Sequence, residues 1–242
     1  MNLVIDVGNT LVKLAIFEKE SLQYKKVFIK NKFLEVLTEV NELYPFIKNC
    51  IVSSVVNFSE HQFSKLKKCY PVHVLSHETS IPFINKYATP DTLGVDRIAL
   101  VSAASIQFNK KNVLIIDVGS CITYDFISEK NEYLGGAISA GIEMRYKALN
   151  TFTARLPLLD ANSPKEFIGN STAFSIHSGI INGVLYEIDG FISTYKNIFD
   201  DLTIILTGGD AHFLRDSLKN DIFANSNFLL EGLNSILEHN KT

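Results

Sequence analysis

The chain has 242 residues, of which 46% are hydrophobic, and its 23 Lys/Arg against 26 Asp/Glu leave a formal net charge of −3. That length can bury one large core or two modest ones, while the mildly acidic balance, with no Lys/Arg run longer than two residues, argues against a nucleic-acid partner. Three scattered cysteines, Cys50, Cys69 and Cys121, have neither metal-ligand spacing nor a disulfide framework and are expected to be buried thiols in a reducing compartment. With no basic leader and no run of eighteen apolar residues, a cytoplasmic protein without membrane contact is expected.

Along the chain, apolar runs from Leu3 to Val7, Val12 to Phe17 and Tyr24 to Ile29 predict an antiparallel meander of strands. Phe33, Val36, Leu37, Val40 and Leu43 then fall at helical spacing up to Pro45. A buried strand follows from Cys50 to Val55, a helix from Phe58 to Cys69, a short strand from Val72 to Leu75 and a helix from Leu93 to Ile106. The polar run Asn109-Lys-Lys-Asn112 marks a boundary, which gives an N-terminal domain of residues 1–110 and a C-terminal domain of residues 111–242. The second part opens as the first does, with strands over Val113 to Val118, Ile122 to Ile127 and Tyr133 to Ile138. Ile176, Ile180, Val184, Ile188 and Ile192 recur every fourth residue and draw an apolar stripe along a long helix from about Ser171 to Phe199. Gly179 and Gly183 lie on a neighbouring face of that helix, and read equally as helix packing within the domain or as a subunit contact. Thr203 to Leu206 is the last buried strand, and helices are expected from Thr207-Gly-Gly-Asp-Ala211 through Leu218 and from Phe228 to Leu237.

The internal repeat is the most informative pattern. Leu3, Ile5, Asp6, Val7 and Gly8 return at one constant offset as Leu114, Ile116, Asp117, Val118 and Gly119. A strand that runs into Asp-x-Gly and a small hydroxyl residue suits a nucleotide's phosphates, because glycine lets backbone N–H groups approach the anion while the carboxylate organises a metal. Two such units are expected to face one another across a cleft. Each station also has a plain alternative. Asp6-Val-Gly-Asn-Thr10 reads as a β-turn as readily as a phosphate loop. In Gly94-Val-Asp-Arg97, Asp96 is either a helix-start charge or a functional carboxylate, and Arg97 is a fork-shaped donor suited to a carboxylate. Thr207-Gly-Gly-Asp210 either makes a tight turn or leaves room for a ring or phosphate at a helix start. No Gly-x-x-x-x-Gly-Lys-Ser/Thr segment is present, which argues against a P-loop kinase, and the histidines and cysteines form no zinc cluster.

Taken in order, Asp6 to Lys13, Tyr87 with Gly94 to Arg97, Asp117 to Asp125, Gly135-Gly-Ala-Ile138 with Gly141 and Met144, Thr153 to Pro157, Gly169 to Thr172 with Gly179, and Thr207 to Ala211 resemble the type III pantothenate kinases. The resemblance implies an α/β chain of two ribonuclease H-like (actin-like ATPase) halves, each a mixed sheet with flanking helices, related by duplication. It also implies ATP-dependent phosphorylation of pantothenate to 4'-phosphopantothenate, the first step of coenzyme A biosynthesis. On that resemblance Asp6, Val7, Gly8, Asn9, Thr10, Leu11, Val12, Lys13, Ser120, Gly208 and Gly209 bind ATP, with Mg²⁺ near Asp6. Asp117 is similar to the ligand of a monovalent cation, potassium or ammonium, and Asp96 to the proton acceptor. Tyr87, Gly94, Val95, Asp96, Arg97 and Thr172 resemble the pantothenate contacts, Thr172 in a site completed by the second subunit of a homodimer. The chain departs from the pattern at Ser120-Cys121, where Thr-Ala is usual, and at Ala140, where a proline usually precedes the glycine; the second bears on the rigidity of that loop. The rival readings are a sugar or acetate kinase of the same superfamily and a nucleotide-binding accessory factor without turnover.

Overall fold

The structure is a computed structural model that describes residues 1–8, 11–54, 59–214 and 217–241. The chain order begins β1 (Asn2–Val7), β2 (Leu11–Glu18), β3 (Ser21–Ile29), α1 (Phe33–Leu43), β4 (Asn49–Ser54), α2 (Glu60–Cys69), β5 (Val72–Val74), β6 (Ile84–Asn85) and α3 (Val95–Gln107). It continues with β7 (Val113–Val118), β8 (Cys121–Ile127), β9 (Glu132–Ala140), α4 (Ile142–Thr151), α5 (Thr172–Ile198), β10 (Thr203–Thr207), α6 (Ala211–Leu214), β11 (Phe223–Ala224) and α7 (Phe228–His239). Two compact units result, one of residues 1–109 with 227–242 and one of residues 110–226.

In the first unit the strands lie in the order β3-β2-β1-β4-β5. β1 pairs antiparallel with β2 and parallel with β4, and β4 pairs parallel with β5. β1 is apolar almost throughout because both its faces are covered. Leu3, Ile5 and Val7 pack into a cluster with Phe33, Val36, Leu37 and Val40 of α1. The alternate residues face the other way, where Asn2 donates to Asn234 Oδ1 at 2.7 Å and to Glu238 Oε1 at 2.6 Å on α7. α7 also lies against α3, and at Gly232 a side chain would meet the Ala99 carbonyl oxygen at 1.9 Å, so only glycine allows that approach. The predicted α1 stripe is buried except at Leu43, which is exposed at the helix end. Of the expected β4 and α2, residues 55 and 58 lie outside the described residues, and Ser59 caps α2 by accepting from the Gln62 N–H at 3.2 Å.

The second unit repeats the plan. Its strands run β9-β8-β7 by antiparallel pairing and β7-β10-β11 by parallel pairing. Leu114, Ile116 and Val118 of β7 pack with Ile176, Ile180, Val184, Ile188 and Ile192, so the fourfold stripe predicted for the long helix is buried along its length. The duplication read from Asp-Val-Gly is therefore a duplication of sheet order and polarity, and the chain is α/β with two ribonuclease H-like halves. Three expectations differ. α4 has no counterpart in the predicted elements, although Gly141 followed by buried Ile142 and Tyr146 carries a helical signal. The helix expected through Leu218 is described only as Ala211–Leu214, with residues 215 and 216 outside the described residues. Of the cysteines expected to be buried, Cys50 is, but Cys69 is exposed and Cys121 half-buried, because Cys69 ends α2 on its solvent side and Cys121 begins β8 at its rim.

Candidate active site

Each Asp-Val-Gly station sits at the C-terminal end of the central strand of its sheet, where the pairing stops and the backbone turns. In the first unit Asp6 is 8% exposed and lies opposite Lys13 in the β1/β2 ladder, with Lys13 Nζ 3.8 Å from its Oδ2. Burial pushes the Asp6 carboxyl up to about 6; Lys13 opposes this and the negative charge of Asp96 adds to it. Asp6 and Asp96 are thus close enough to feel one another within one unit. The Gly8 N–H donates to the Leu11 carbonyl at 3.0 Å and closes the turn, while Asn9 and Thr10 lie outside the described residues. Val7 and Val12 are buried and serve the core, and Leu11 is exposed.

Asp96 stands in the first turn of α3. A side chain on Gly94 would meet Asp96 Oδ1 at 2.3 Å, so glycine there leaves room for the carboxylate to fold back over the helix start. The same oxygen accepts from the Arg97 N–H at 2.9 Å, which fixes its orientation. Arg97 is buried, and its guanidinium lies 5.4 Å from the centre of the Tyr87 ring, within cation–π range. Tyr87 is oriented in turn by its N–H, which donates to Asn85 Oδ1 at 2.9 Å. Tyr87, Gly94, Val95, Asp96 and Arg97 are therefore gathered around one helix start.

In the second unit the turn that follows Asp117 is gripped from two sides. A side chain on Gly208, which has φ of 101°, would meet the Val118 carbonyl oxygen at 2.3 Å and Asp117 Oδ1 at 2.5 Å. One on Gly141 would meet the Gly119 carbonyl oxygen at 2.2 Å and that of Ser120 at 2.4 Å. An added β-carbon at Gly209 would meet nothing within 4 Å among the described residues, so the two glycines of Thr207-Gly-Gly-Asp210 differ: Gly208 seats the turn and Gly209 does not. Ser120 is exposed at the tip of the turn. Thr172 is the first residue of α5, after Ser171, whose hydroxyl accepts from the Phe174 N–H at 3.3 Å. It lines a groove of about 900 Å³ with Arg145, Leu149, Phe152 and Ile176, and no other predicted substrate contact lines that groove. Sequence reasoning missed Arg145, Glu187 and Tyr124, which form a polar network beside it.

The fit to cations rests on two hydroxyls. Ser53 lies opposite Asp6 in the β1/β4 ladder and Thr123 opposite Asp117 in the β7/β8 ladder. Among the described residues neither buried hydroxyl oxygen finds a hydrogen-bond partner. A carboxylate beside a spare hydroxyl at a strand end suits a hard cation that takes oxygen ligands. Among the described residues no three His, Cys, Asp or Glu side chains cluster as a metal cage. One carboxylate per station suits a cation shared with phosphate oxygens and water.

Duplicated mixed sheets with a carboxylate at the end of each central strand define an α/β protein of two ribonuclease H-like halves. A 239-residue chain segment is 51% identical to a type III pantothenate kinase of Flavobacterium johnsoniae, covering 99% of this chain and 98% of that one. Another type III pantothenate kinase, from Christiangramia forsetii, is 54% identical over 242 residues and the whole of both chains. The family model for type III pantothenate kinase matches residues 2–194, and the chain belongs to that family. Among solved structures, a Campylobacter jejuni protein described as of the Baf transcriptional-activator family aligns with TM-score 0.64 at 22% identity, covering 98% of each chain. A glucokinase from an Antarctic psychrotroph aligns with TM-score 0.53 at 12% identity, again over 98% of each chain. These two likenesses speak to the fold alone.

Proposed function

We propose that the chain phosphorylates pantothenate with ATP and so performs the first step of coenzyme A biosynthesis. The observation that carries this is the 54% identity with a type III pantothenate kinase over the full length of both chains. Phosphoryl transfer asks a protein mainly to hold the terminal phosphoryl group in line with an attacking hydroxyl and to neutralise spreading charge. Asp96 accepts the proton of pantothenate's primary hydroxyl. It orients the hydroxyl and takes its proton late in the transfer. Arg97, steadied by Tyr87, binds the pantothenate carboxylate, and Thr172 and the backbone of Gly94 and Val95 complete the substrate contacts. Asp6, Gly8, Lys13, Ser120, Gly208 and Gly209 position the ATP phosphates, with the flanking Val7, Leu11 and Val12 shaping their turn; the expected contacts at Asn9 and Thr10 lie outside the described residues.

Mg²⁺ supplies counter-charge to the phosphates and would be held at Asp6, through water, beside the Ser53 hydroxyl. Potassium or ammonium would be held at Asp117, and the spare Thr123 hydroxyl supports that assignment. A homodimer is favoured by Gly179 and Gly183, where an added β-carbon would meet nothing within 4 Å among the described residues, and by exposed Phe152, Phe167, Ile168 and Phe174. No helix among the described residues is long and apolar enough to cross a membrane, and we assign the protein to the cytoplasm. A coupled assay of ADP release tests the reading: turnover is expected with pantothenate and to rise with potassium, and turnover with hexoses or acetate in its place overturns it.

A further inference from the structure

Arg145 carries no motif and stands outside every station, yet it ties four elements of the second unit together. It occupies the first turn of α4. Its Nε donates to the Ala140 carbonyl at 2.8 Å, and its Nη2 donates to Ser139 Oγ at 2.9 Å and to Glu187 Oε2 of α5 at 2.5 Å. The other Glu187 oxygen accepts from the hydroxyl of fully buried Tyr124, on β8, at 2.9 Å. Burial works against the Glu187 charge, but the bonds from Arg145, Ser139 and Tyr124 outweigh it and hold the carboxyl below its usual range. A partly buried, charge-assisted fork of this kind has one geometry and little slack.

What the fork holds is the corner between β9 and α4. Gly141, next after Ala140, donates its N–H to the Ser120 carbonyl at 3.2 Å, and its α-carbon is wedged so close to the Gly119 and Ser120 carbonyls that no β-carbon would fit. Any movement of Ala140 is therefore passed to Gly119 and Ser120. Alanine leaves that corner conformationally free, and the stiffness put in question at Ala140 is supplied from outside by a side chain.

We propose that Arg145, braced by Glu187, is a positioning residue for ATP: it fixes the Ser139–Ala140 main chain so that Gly141 holds the Gly119–Ser120 turn against the phosphates. This rests on the phosphate role proposed above for Ser120. Arg145 also lines the groove at Thr172, so a direct contact with pantothenate is the competing role, and general support of the fold is the other.

The split between substrates separates the three. Steady-state kinetics and calorimetric titration with Mg·ATP would be run on the wild-type enzyme, Arg145→Met, Arg145→Lys and Glu187→Gln. Because a small misplacement of a bound phosphate costs heavily, Arg145→Met should weaken ATP binding and kcat/KM for ATP by about tenfold or more, with KM for pantothenate within about twofold of wild type. Arg145→Lys should fall nearly as far, since an ammonium cannot reach three acceptors in a fixed plane. Glu187→Gln, which keeps the Arg145 side chain but loosens its brace, should show the same ATP-selective loss and carries the test if Arg145→Met does not fold. A rise in pantothenate KM with ATP binding unchanged, or a lower Tm with both substrates unaffected, overturns the proposal. A wild-type enzyme that binds ATP but does not turn over pantothenate would overturn the function reading instead, and the titration would still decide the clamp.

Discussion

Asp6 is held in a place that suits its neutral form better than its charged one. Its carboxyl is raised from 3.8 to about 6, chiefly by burial. The folded state therefore binds the Asp6 proton more tightly than the unfolded chain, so its charge costs nothing below about pH 4, costs increasingly between pH 4 and 6, and costs in full above. At about 1.4 kcal/mol per unit the full cost is on the order of 3 kcal/mol. Asp6→Asn should accordingly raise the Tm of the ligand-free protein at pH 8, by an amount that fades as the pH is lowered toward 4, while it abolishes turnover. Thermal denaturation across pH measures this, and a variant that is less stable at pH 8 contradicts it. Asp96→Asn separates differently: turnover should fall by on the order of 10²-fold to 10⁴-fold, as for loss of a general base. ATP affinity should hold or tighten, because one negative charge near Asp6 is gone. Near-wild-type turnover would remove Asp96 from the role. The strand-end placement of Asp6 and Asp117 and the helix-start placement of Asp96 were legible in the sequence because a glycine two residues away marks each turn. The burial that shifts Asp6 and the spare hydroxyls of Ser53 and Thr123 were not, since they come from neighbouring strands brought together only by pairing.

At the scale of elements, the strand-turn-strand units were legible because period and repeat agree: buried runs end in Asp-Val-Gly twice, and the two sheets share order and polarity. α4 and its polar links were not, because a helix with few buried residues draws its position from hydrogen bonds that reach across the sheet. The glycines show which turns must keep their form. At Gly208, with φ of 101°, an added β-carbon is strained in its own backbone and collides with the Val118 carbonyl at 2.3 Å. Gly208→Ala should therefore lower stability by roughly 1–3 kcal/mol, as a bulky residue in a left-handed conformation does, and displace Asp117. Gly209→Ala, whose β-carbon would meet nothing within 4 Å among the described residues, should leave Tm unchanged, so that any loss it causes falls on ATP affinity alone. Denaturant titration beside ATP titration distinguishes the pair, and equal effects of the two substitutions on stability would refute the assignment. Thr123→Val tests the cation station in the same way: it removes only the buried spare hydroxyl, and should raise the potassium concentration needed for half-maximal rate without lowering Tm.

For the molecule as a whole, chain order and spatial grouping part company at Asn227. Sequence order puts α7 after β11 of the second unit, whereas packing groups residues 227–242 with the first. The cause is specific. The face of β1 turned away from α1 needs a cover, and α7, which packs on β1, β4 and α3 and buries Phe228, Leu230, Leu233, Ile236 and Leu237, supplies it. Asn234 fastens the cover, accepting from Asn2 at 2.7 Å and donating to the Lys19 carbonyl at 2.8 Å. Five buried apolar side chains at about 1.5–3 kcal/mol each amount to about 7–15 kcal/mol, which equals the whole net stability of a typical domain of about 5–15 kcal/mol. Deleting residues 227–242 should therefore unfold the first unit outright. The second unit, a continuous stretch of residues 110–226 with its own core around Leu114, Ile116, Val184 and Ile188, keeps that core whole. Hydrogen exchange on the truncated chain is expected to show β1 to β5 unprotected and β7, β8 and α5 protected. Uniform protection would mean that α7 is dispensable; uniform loss would mean that the second unit depends on the first.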